Sequence, residues 1–246
     1  SSVSLSVAYH AILMTRLFMD NLTGVDVSLL DPEKGLLGES WQVDIELEGS
    51  LDHQGMVLDF GLVKRQTKQL IDEHFDHRLL VPAAYGHFRI DHTEHRIEMR
   101  FRTLGGENIL FRAPASALRA IAAEQVTAES LTTAIIETIQ PTLPDNVHHM
   151  ALHLHTEHIE GAWYRYSHGL KHHSGNCQRI AHGHRSRIQI YADGQRSELL
   201  ERQWAARWKD RYLGTRDDLL QDITALVSAI PGVKDMVCHI DTPHYV

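Results

Sequence analysis

With 246 residues, 43% of them hydrophobic and 23% charged, the chain is long enough for one large domain or two small ones with a buried core. The formal net charge of −8 argues against general nucleic-acid binding, which depends on an excess of basic residues. The two cysteines, Cys177 and Cys238, lie far apart and suggest no disulfide framework, so we expect a reduced, cytoplasmic setting. We expect neither a signal peptide nor a membrane span, because the sequence shows no matching apolar run.

The first part of the chain has several short runs of alternating apolar and polar residues, which predict strands interrupted by one helix. The helix is expected to begin after Asp59, whose carboxylate can cap it, and to extend to about Phe75. The two runs that flank residues 91–94 predict a hairpin. The strands of this part are predicted at residues 3–13, 41–48, 88–90, 97–101 and 109–111.

The chain continues with further helices and strands. Thr127 predicts the start of a helix with one apolar face, and Pro141 and Pro144 mark its end. Helical stripes are also expected at residues 199–212 and 215–230. The remaining strands are predicted at residues 150–154, 162–166, 184–192 and 236–240.

The order strand, strand, helix, helix, strand, strand occurs twice, which indicates an imperfect internal duplication. We place one repeat at residues 1–160 and the other at residues 161–246. The predicted class is α+β, with an antiparallel sheet and two helices on one of its faces in each repeat. Only one strand fits between Glu157 and the residues discussed next, so the repeats are expected to share it.

The stretch from Tyr166 to His184 carries the residues with the most specific chemistry. His182 and His184 alternate at the start of a predicted strand, so their side chains project from the same face. A third imidazole from a neighbouring strand would complete the ligand set of a catalytic zinc, which keeps one position open. His168 is the preferred third ligand, and His172 and His173 are alternatives. The competing interpretation is an ordinary cluster in a chain with 19 histidines.

Several motifs resemble those of the 6-pyruvoyltetrahydropterin synthase and 6-carboxytetrahydropterin synthase family, whose members have the tunnelling fold (T-fold). His168, Cys177 and His182-Gly-His184 are similar to the family's zinc ligands and catalytic cysteine. Asp76-His77 is similar to its catalytic Asp-His pair. The other matching segments are Gly55-Met-Val-Leu-Asp-Phe60, Thr127-Ala-Glu-Ser130, Thr156-Glu157 and Asp241-Thr242.

The resemblance divides the active-site motifs between the two repeats. In the first repeat, Leu37-Gly-Glu39 stands in place of His-Gly-His, although His10 occupies the expected place of the first ligand. In the second repeat, Thr215-Arg-Asp-Asp218 stands near the place of the Asp-His pair. We therefore expect tandem T-fold repeats with one working site, which combines the metal ligands of the second repeat with the Asp-His pair of the first.

The resemblance implies a zinc-dependent lyase that acts on 7,8-dihydroneopterin triphosphate. Zn²⁺ would be bound by His168, His182 and His184, and Cys177, Asp76 and His77 would be the catalytic residues. Either Glu157 or Asp241 would anchor the pterin through paired hydrogen bonds.

Three functions are compatible with these residues. The leading one is formation of 6-carboxytetrahydropterin for queuosine synthesis, and its sibling is formation of 6-pyruvoyltetrahydropterin. The third is non-catalytic binding of zinc or a pterin. We also expect a homo-oligomer, because sheets with exposed edges tend to pair with neighbouring copies, and we expect no nucleic-acid or membrane partner.

Overall fold

A computed structural model of the chain describes residues 14–51, 55, 57, 59–93, 96–169 and 182–213. The predicted strand at 3–13 and the predicted elements after residue 213 lie outside these ranges, as do His10, Cys177 and Asp241. The helices are α1 (Phe60–His74), α2 (Ala128–Ile139) and α3 (Glu198–Trp208). The strands are β1 (Met14–Asp31), β2 (Gly35–Ser50), β3 (Leu79–Pro82), β4 (Phe88–His92), β5 (Ile97–Arg102), β6 (Asn108–Ala113), β7 (Leu118–Ile121), β8 (Val147–His155), β9 (Trp163–His168), β10 (His182–Arg187), β11 (Tyr191–Ala192), β12 (Gln195–Arg196) and β13 (Arg211–Leu213).

A five-stranded sheet in the order β7-β3-β1-β2-β8 forms the larger layer of the fold. β1 and β2 are a long antiparallel pair with a register shift between Met19 and Thr23, and β8 extends the pair antiparallel to β2. β3 joins the other side of β1 in parallel, and β7 then joins β3 in parallel. The two parallel additions were not expected from the sequence.

The helices α1 and α2 cover one face of this sheet, as the sequence predicts. Asp59 caps α1 by accepting the N–H of Leu62, and Thr127 with Ser130 forms a capping box at the start of α2. The inward side chains of the helices and strands make one core, in which Val25, Val43, Ile71, Leu131 and Ile135 are fully buried. Burial of this apolar surface is the main force that holds the helices on the sheet.

The strands β4, β5 and β6 form an antiparallel meander over a second core. β4 and β5 pair antiparallel and form the hairpin that the sequence predicts. The second core includes Leu30 of β1 and Leu79 of β3, so it continues from the larger sheet and fixes the meander to it.

A smaller sheet in the order β10-β9-β13 packs against the β1–β2 pair at very short range. The strand that we expected the two repeats to share, β9, belongs to this second sheet and not to the first. A Cβ atom added to Gly38 would lie 1.8 Å from the carbonyl oxygen of Tyr166. One added to Gly183 would lie 2.3 Å from the Cα atom of Gly38. Only glycine permits this approach of the two backbones.

The predicted α+β class with helices on one face of an antiparallel sheet is confirmed for the larger layer, with β3 and β7 as parallel additions. The division into repeats at residues 1–160 and 161–246 stays a prediction. Within the described ranges, no helix combines the length and apolarity that are needed to cross a bilayer.

Candidate metal centre and proton-transfer pair

Three histidines converge at one end of the β9–β10 pair. His168 and His182 are directly opposite each other in the antiparallel register, and His184 follows two residues along β10. The ring of His168 lies 4.3 Å from that of His182 and 4.9 Å from that of His184, between centroids. One ligand nitrogen from each ring lies within 4.8 Å of the others, so the three can face a single ion.

The hydrogen bonding of these rings leaves nitrogens available to a metal. Nε2 of His168 and Nδ1 of His182 are buried and have no hydrogen-bond partner in the described part of the chain. Such buried polar atoms are costly unless something binds them. Nδ1 of His184 lies 3.4 Å from a carboxylate oxygen of Asp26, which leaves its Nε2 for a metal.

The protonation of His168 and His182 also suits a metal ligand. Burial, reinforced by the positive charge of neighbouring histidines, lowers the pKa of His182 to about 3 and that of His168 to about 4. Both imidazoles are therefore neutral at pH 7 and present lone pairs. Three imidazoles grouped on one strand pair fit a divalent ion of the kind that prefers nitrogen ligands.

The Asp-His pair predicted from the sequence lies beside this cluster in the same chain. Asp76 and His77 follow the end of α1, and His77 has a left-handed backbone with φ of 53°. Its Nδ1 lies 2.5 Å from a carboxylate oxygen of Asp76, and its ring centroid lies 4.5 Å from that of His182. The structure thus brings together five of the predicted site residues, from segments far apart in sequence.

Asp26 of β1, which the sequence analysis missed, joins the histidine cluster to the Asp-His pair. Its backbone N–H donates to Oδ1 of Asp76 at 2.8 Å, and its carbonyl accepts the N–H of His77 at 2.8 Å. Its carboxylate contacts His184 and accepts a hydrogen bond from Ser40. Burial raises the pKa of Asp26, but the hydrogen bonds from His184 and Ser40 outweigh it and lower the pKa. Asp26 therefore stays a carboxylate.

A sequence signal for Asp26 did exist. It alternates with Val25 and Val27, which are fully buried, so a polar residue here must face the opposite side of the sheet. Asp26, Asp76 and His77 are also close enough to hold a metal ion themselves. Their oxygen and nitrogen atoms already bind one another, so their geometry fits support of the histidines better than a second ion site.

Glu157, the other predicted site residue in the described ranges, lies away from the histidine cluster. Glu157 is exposed beyond the end of β8, beside a cleft of about 610 Å³. The cleft follows β10 away from His182 and is lined by Glu157, His158, Ile159, Glu160, Arg185, Ser186 and Arg187. Cys177 and Asp241 lie outside the described residues, so their roles stay predictions from the sequence.

An α+β fold with three clustered histidines next to an Asp-His pair defines a protein with a candidate metal centre and a proton-transfer pair. The sequence model of the family described as 6-pyruvoyl tetrahydropterin synthase matches residues 27–166, which is more than half of the chain. The chain therefore belongs to the 6-pyruvoyl tetrahydropterin synthase family. The matched segment contains Asp76, His77 and Glu157 and ends two residues before His168.

Solved structures of similar proteins include two from malaria parasites. A catalytic-residue mutant of Plasmodium vivax 6-pyruvoyltetrahydropterin synthase is 16% identical, with a TM-score of 0.43, and the similarity covers 59% of this chain and 99% of that one. The Plasmodium falciparum enzyme is 14% identical, with a TM-score of 0.44, and covers 58% and 99%. No curated protein matches the chain.

Proposed function

We propose that this chain is a zinc-dependent pterin lyase that converts 7,8-dihydroneopterin triphosphate to 6-carboxytetrahydropterin. The proposal rests above all on one observation, which is the 4.5 Å contact between the rings of His77 and His182. The contact supports the proposal because the Asp-His pair, to which we assign proton transfer, lies next to the three histidines to which we assign metal binding. Membership of the tetrahydropterin synthase family supports the pterin substrate.

His168, His182 and His184 would hold Zn²⁺ and leave one coordination position for the substrate. When bound, zinc supplies a Lewis acid that lowers the pKa of coordinated hydroxyl groups. The burial of His182 and the contact of His184 with Asp26 keep these rings in fixed orientations. The ligands are therefore organised before the metal arrives.

His77 would move a proton between positions on the substrate side chain. Because Asp76 binds its Nδ1, the nitrogen that would exchange a proton with the substrate is Nε2. The carboxylate of Asp76 stabilises the imidazolium that forms when His77 takes up the proton. Cys177 is the proposed partner in proton transfer, an assignment that rests on the family resemblance.

A carboxylate would orient the pterin by accepting hydrogen bonds from its amino and ring N–H groups. Glu157 and Asp241 are the two candidates, again from the resemblance. Glu157 borders a cleft whose other wall is β10, the strand that carries His182 and His184. A substrate anchored there would extend along that strand.

A second candidate product is 6-pyruvoyltetrahydropterin, since the matching family model carries that activity in its description. Both reactions release triphosphate by carbon–oxygen cleavage. The leading one also cleaves a carbon–carbon bond and releases the two outer side-chain carbons, so that one carbon remains as the carboxylate. Both would use the same metal ligands and the same proton-transfer residues. Identification of the product separates them.

The decisive experiment is turnover of 7,8-dihydroneopterin triphosphate by the purified chain, with the products identified by mass spectrometry. We expect 6-carboxytetrahydropterin, and we expect His77→Gln to lower kcat by about 100-fold or more, as loss of a general acid–base does. His153→Gln, at an exposed position on β8, is the matched control and should leave kcat unchanged. If the wild-type chain retained zinc and a pterin without turnover, it would be a binding protein and the proposal would be wrong.

A further inference from the structure

Two strand pairs in the chain have the same register around one serine and one glycine. In the β1–β2 pair, Ser28 is opposite Gly38, and in the β9–β10 pair, Ser167 is opposite Gly183. Each pair is also extended by a parallel strand. β3 aligns its first residue with Ser28, and β13 aligns its second residue with Ser167.

The residues that precede the two parallel strands, β3 and β13, also share one backbone conformation and one hydrogen bond. His77 has φ of 53° and donates its N–H to the carbonyl of Asp26 at 2.8 Å. Asp210 has φ of 58° and donates its N–H to the carbonyl of Arg165 at 2.9 Å. Asp26 and Arg165 each precede the serine of their strand by two residues. A left-handed conformation is uncommon for residues other than glycine, so its recurrence at equivalent places indicates that the two segments correspond.

The contacts between the two units are reciprocal. Oγ of Ser28 lies 2.9 Å from Oγ of Ser167, and Gly38 faces Gly183. A Cβ on Gly38 would meet the carbonyl oxygen of Tyr166, and one on Gly183 would meet the carbonyl oxygen of Val27. Both carbonyls belong to the residue before the serine. Contacts in which each residue meets its own counterpart are the signature of a two-fold axis.

We infer that the chain contains two copies of one folding unit, which are related by a local two-fold axis. A buried ion-pair cluster centred on Glu39 has replaced the metal site of the first copy. The same cluster positions the metal ligands of the second copy.

By register, the counterparts of His168, His182 and His184 are Leu29, Leu37 and Glu39. The first ligand position therefore corresponds to Leu29, and not to His10 as the sequence suggested. The counterpart of Asp76-His77 is Lys209-Asp210, upstream of the expected Thr215–Asp218 segment.

The counterpart place in the first copy cannot hold a metal ion. Leu29 and Leu37 are buried and have no ligand atoms. The Glu39 carboxylate, 5% exposed, accepts two N–H groups of Arg185 and one of Arg165 at 3.1 Å. Arg165 also donates to Asp210, the counterpart of His77. These three arginine N–H groups occupy both oxygens of the Glu39 carboxylate, so neither oxygen is left to coordinate a cation.

The same cluster fixes the strands that carry the metal ligands. Arg185 immediately follows His184, and Arg165 is opposite Arg185 in the strand register. Glu39 therefore ties both β9 and β10 to β2, and on β10 the tie is one residue away from His184. Removing one partner from such a buried ion pair leaves an uncompensated charge and forces the strands to shift. Glu39 is thus a positioning residue for the metal site, a role that rests on the metal site of the proposed function.

The test measures zinc stoichiometry and affinity, with turnover left aside. The wild-type chain should bind one zinc, and Glu39→Gln should weaken zinc binding about tenfold in a chelator competition, which is the lower end of the loss seen when a group that orients metal ligands is removed. Cobalt substitution should show a changed absorption spectrum, because the ligand geometry has moved. Glu48→Gln on the same strand, where the carboxylate faces the exposed Arg16, is the matched control and should bind as the wild type does.

A second variant keeps the test decisive if Glu39→Gln does not fold. Arg185→Lys keeps the charge but loses the forked hydrogen bonds, and it should weaken zinc binding in the same direction. Unchanged affinity and an unchanged cobalt spectrum in a folded variant would show that the cluster only stabilises the fold. Two zinc ions per chain would overturn the replacement of the first site. A chain that bound one zinc without turnover would refute the proposed function and leave this inference standing.

Discussion

The imidazole of His77 packs against that of His182 in the same chain, with 4.5 Å between ring centroids. His77 belongs to the segment after α1, and His182 opens β10, more than a hundred residues later. Asp26 contacts both the Asp-His pair and the histidine cluster. Its backbone binds Asp76 and His77, and its side chain contacts His184. The three clustered histidines and the Asp-His pair therefore lie side by side within one polypeptide.

The first prediction concerns complementation between chains. His77→Ala and His182→Ala should each be inactive, and co-expressing the two variants should not restore turnover, because each chain then carries one defect in its own site. The assay compares the mixture with the wild type diluted into either variant. Recovery toward one quarter or more of the wild-type rate would mean that residues from different chains build the site.

The second prediction concerns the ligand set. Metal analysis of the purified protein should find about one zinc per chain, and His182→Ala should abolish binding because two imidazoles and water hold zinc far more weakly than three. His149→Ala, at an exposed position on β8, is the control and should retain the metal. Full occupancy in the His182 variant would exclude this histidine as a ligand.

The third prediction concerns Asp26. Asp26→Asn should weaken zinc binding by about 10- to 100-fold, because the carboxylate that orients His184 is then replaced by a neutral amide. The pH dependence of turnover should shift as well, since Asp26 also lowers the cost of a positive charge on His77. Asp20→Asn, on the same strand but exposed, should change neither quantity. An Asp26 variant with wild-type zinc affinity would contradict the assignment.

The fourth prediction concerns the acid stability of the metal-free protein. His182 has a folded-state pKa of about 3 against an ordinary value of 6.5, so between these values the unfolded chain binds a proton that the folded chain does not. Titration of His182 has no effect on the free energy of unfolding above pH 6.5. Below that pH, it lowers the free energy of unfolding by about 1.4 kcal/mol for each pH unit. Urea unfolding at pH 7, 6 and 5 after chelation measures the loss, and His182→Leu should reduce the slope. A slope equal to that of the wild type would show that His182 is protonated in the folded chain.

The fifth prediction concerns the close approach of the two sheets. Gly38→Ala and Gly183→Ala should each destabilise the fold by several kcal/mol, because each new methyl group would overlap a backbone atom of the facing strand. Gly86→Ala is the control, since a Cβ there meets no atom within 4 Å. Thermal unfolding of the three variants compares them directly. Equal melting temperatures would rule out the backbone contact.

The sequence was sufficient to predict the parts of the fold that depend on local patterns. The caps at Asp59 and Thr127 are confirmed, and so are the hairpin between β4 and β5 and the alternating strand that became β2. The parallel positions of β3 and β7 escaped prediction because such pairing depends on contacts distant in sequence, which no local pattern records.

For the site, residue types indicated the chemistry, whereas tertiary structure supplied the arrangement. His182 and His184 were paired by strand alternation, whereas the position of His168 opposite His182 follows only from the register of β9 and β10. Asp26 was missed because its role arises from the packing of one sheet on another. Arg165 and Arg185 were likewise unrecognised as partners of Glu39, since ion pairs between distant segments leave no signal in spacing.

The local two-fold axis has a consequence for how the chain can vary. In a dimer of identical subunits, every mutation appears twice, once on each side of the axis, so neither side can specialise. In the duplication that we infer, covalent fusion of the two copies removes that constraint. Glu39 and His184 occupy equivalent positions in the two strand pairs, and such a fusion leaves one free to be a carboxylate while the other is an imidazole. At the axis itself the two positions cannot diverge. Gly38 and Gly183 face each other there, and a side chain on either one would overlap the backbone of the facing strand.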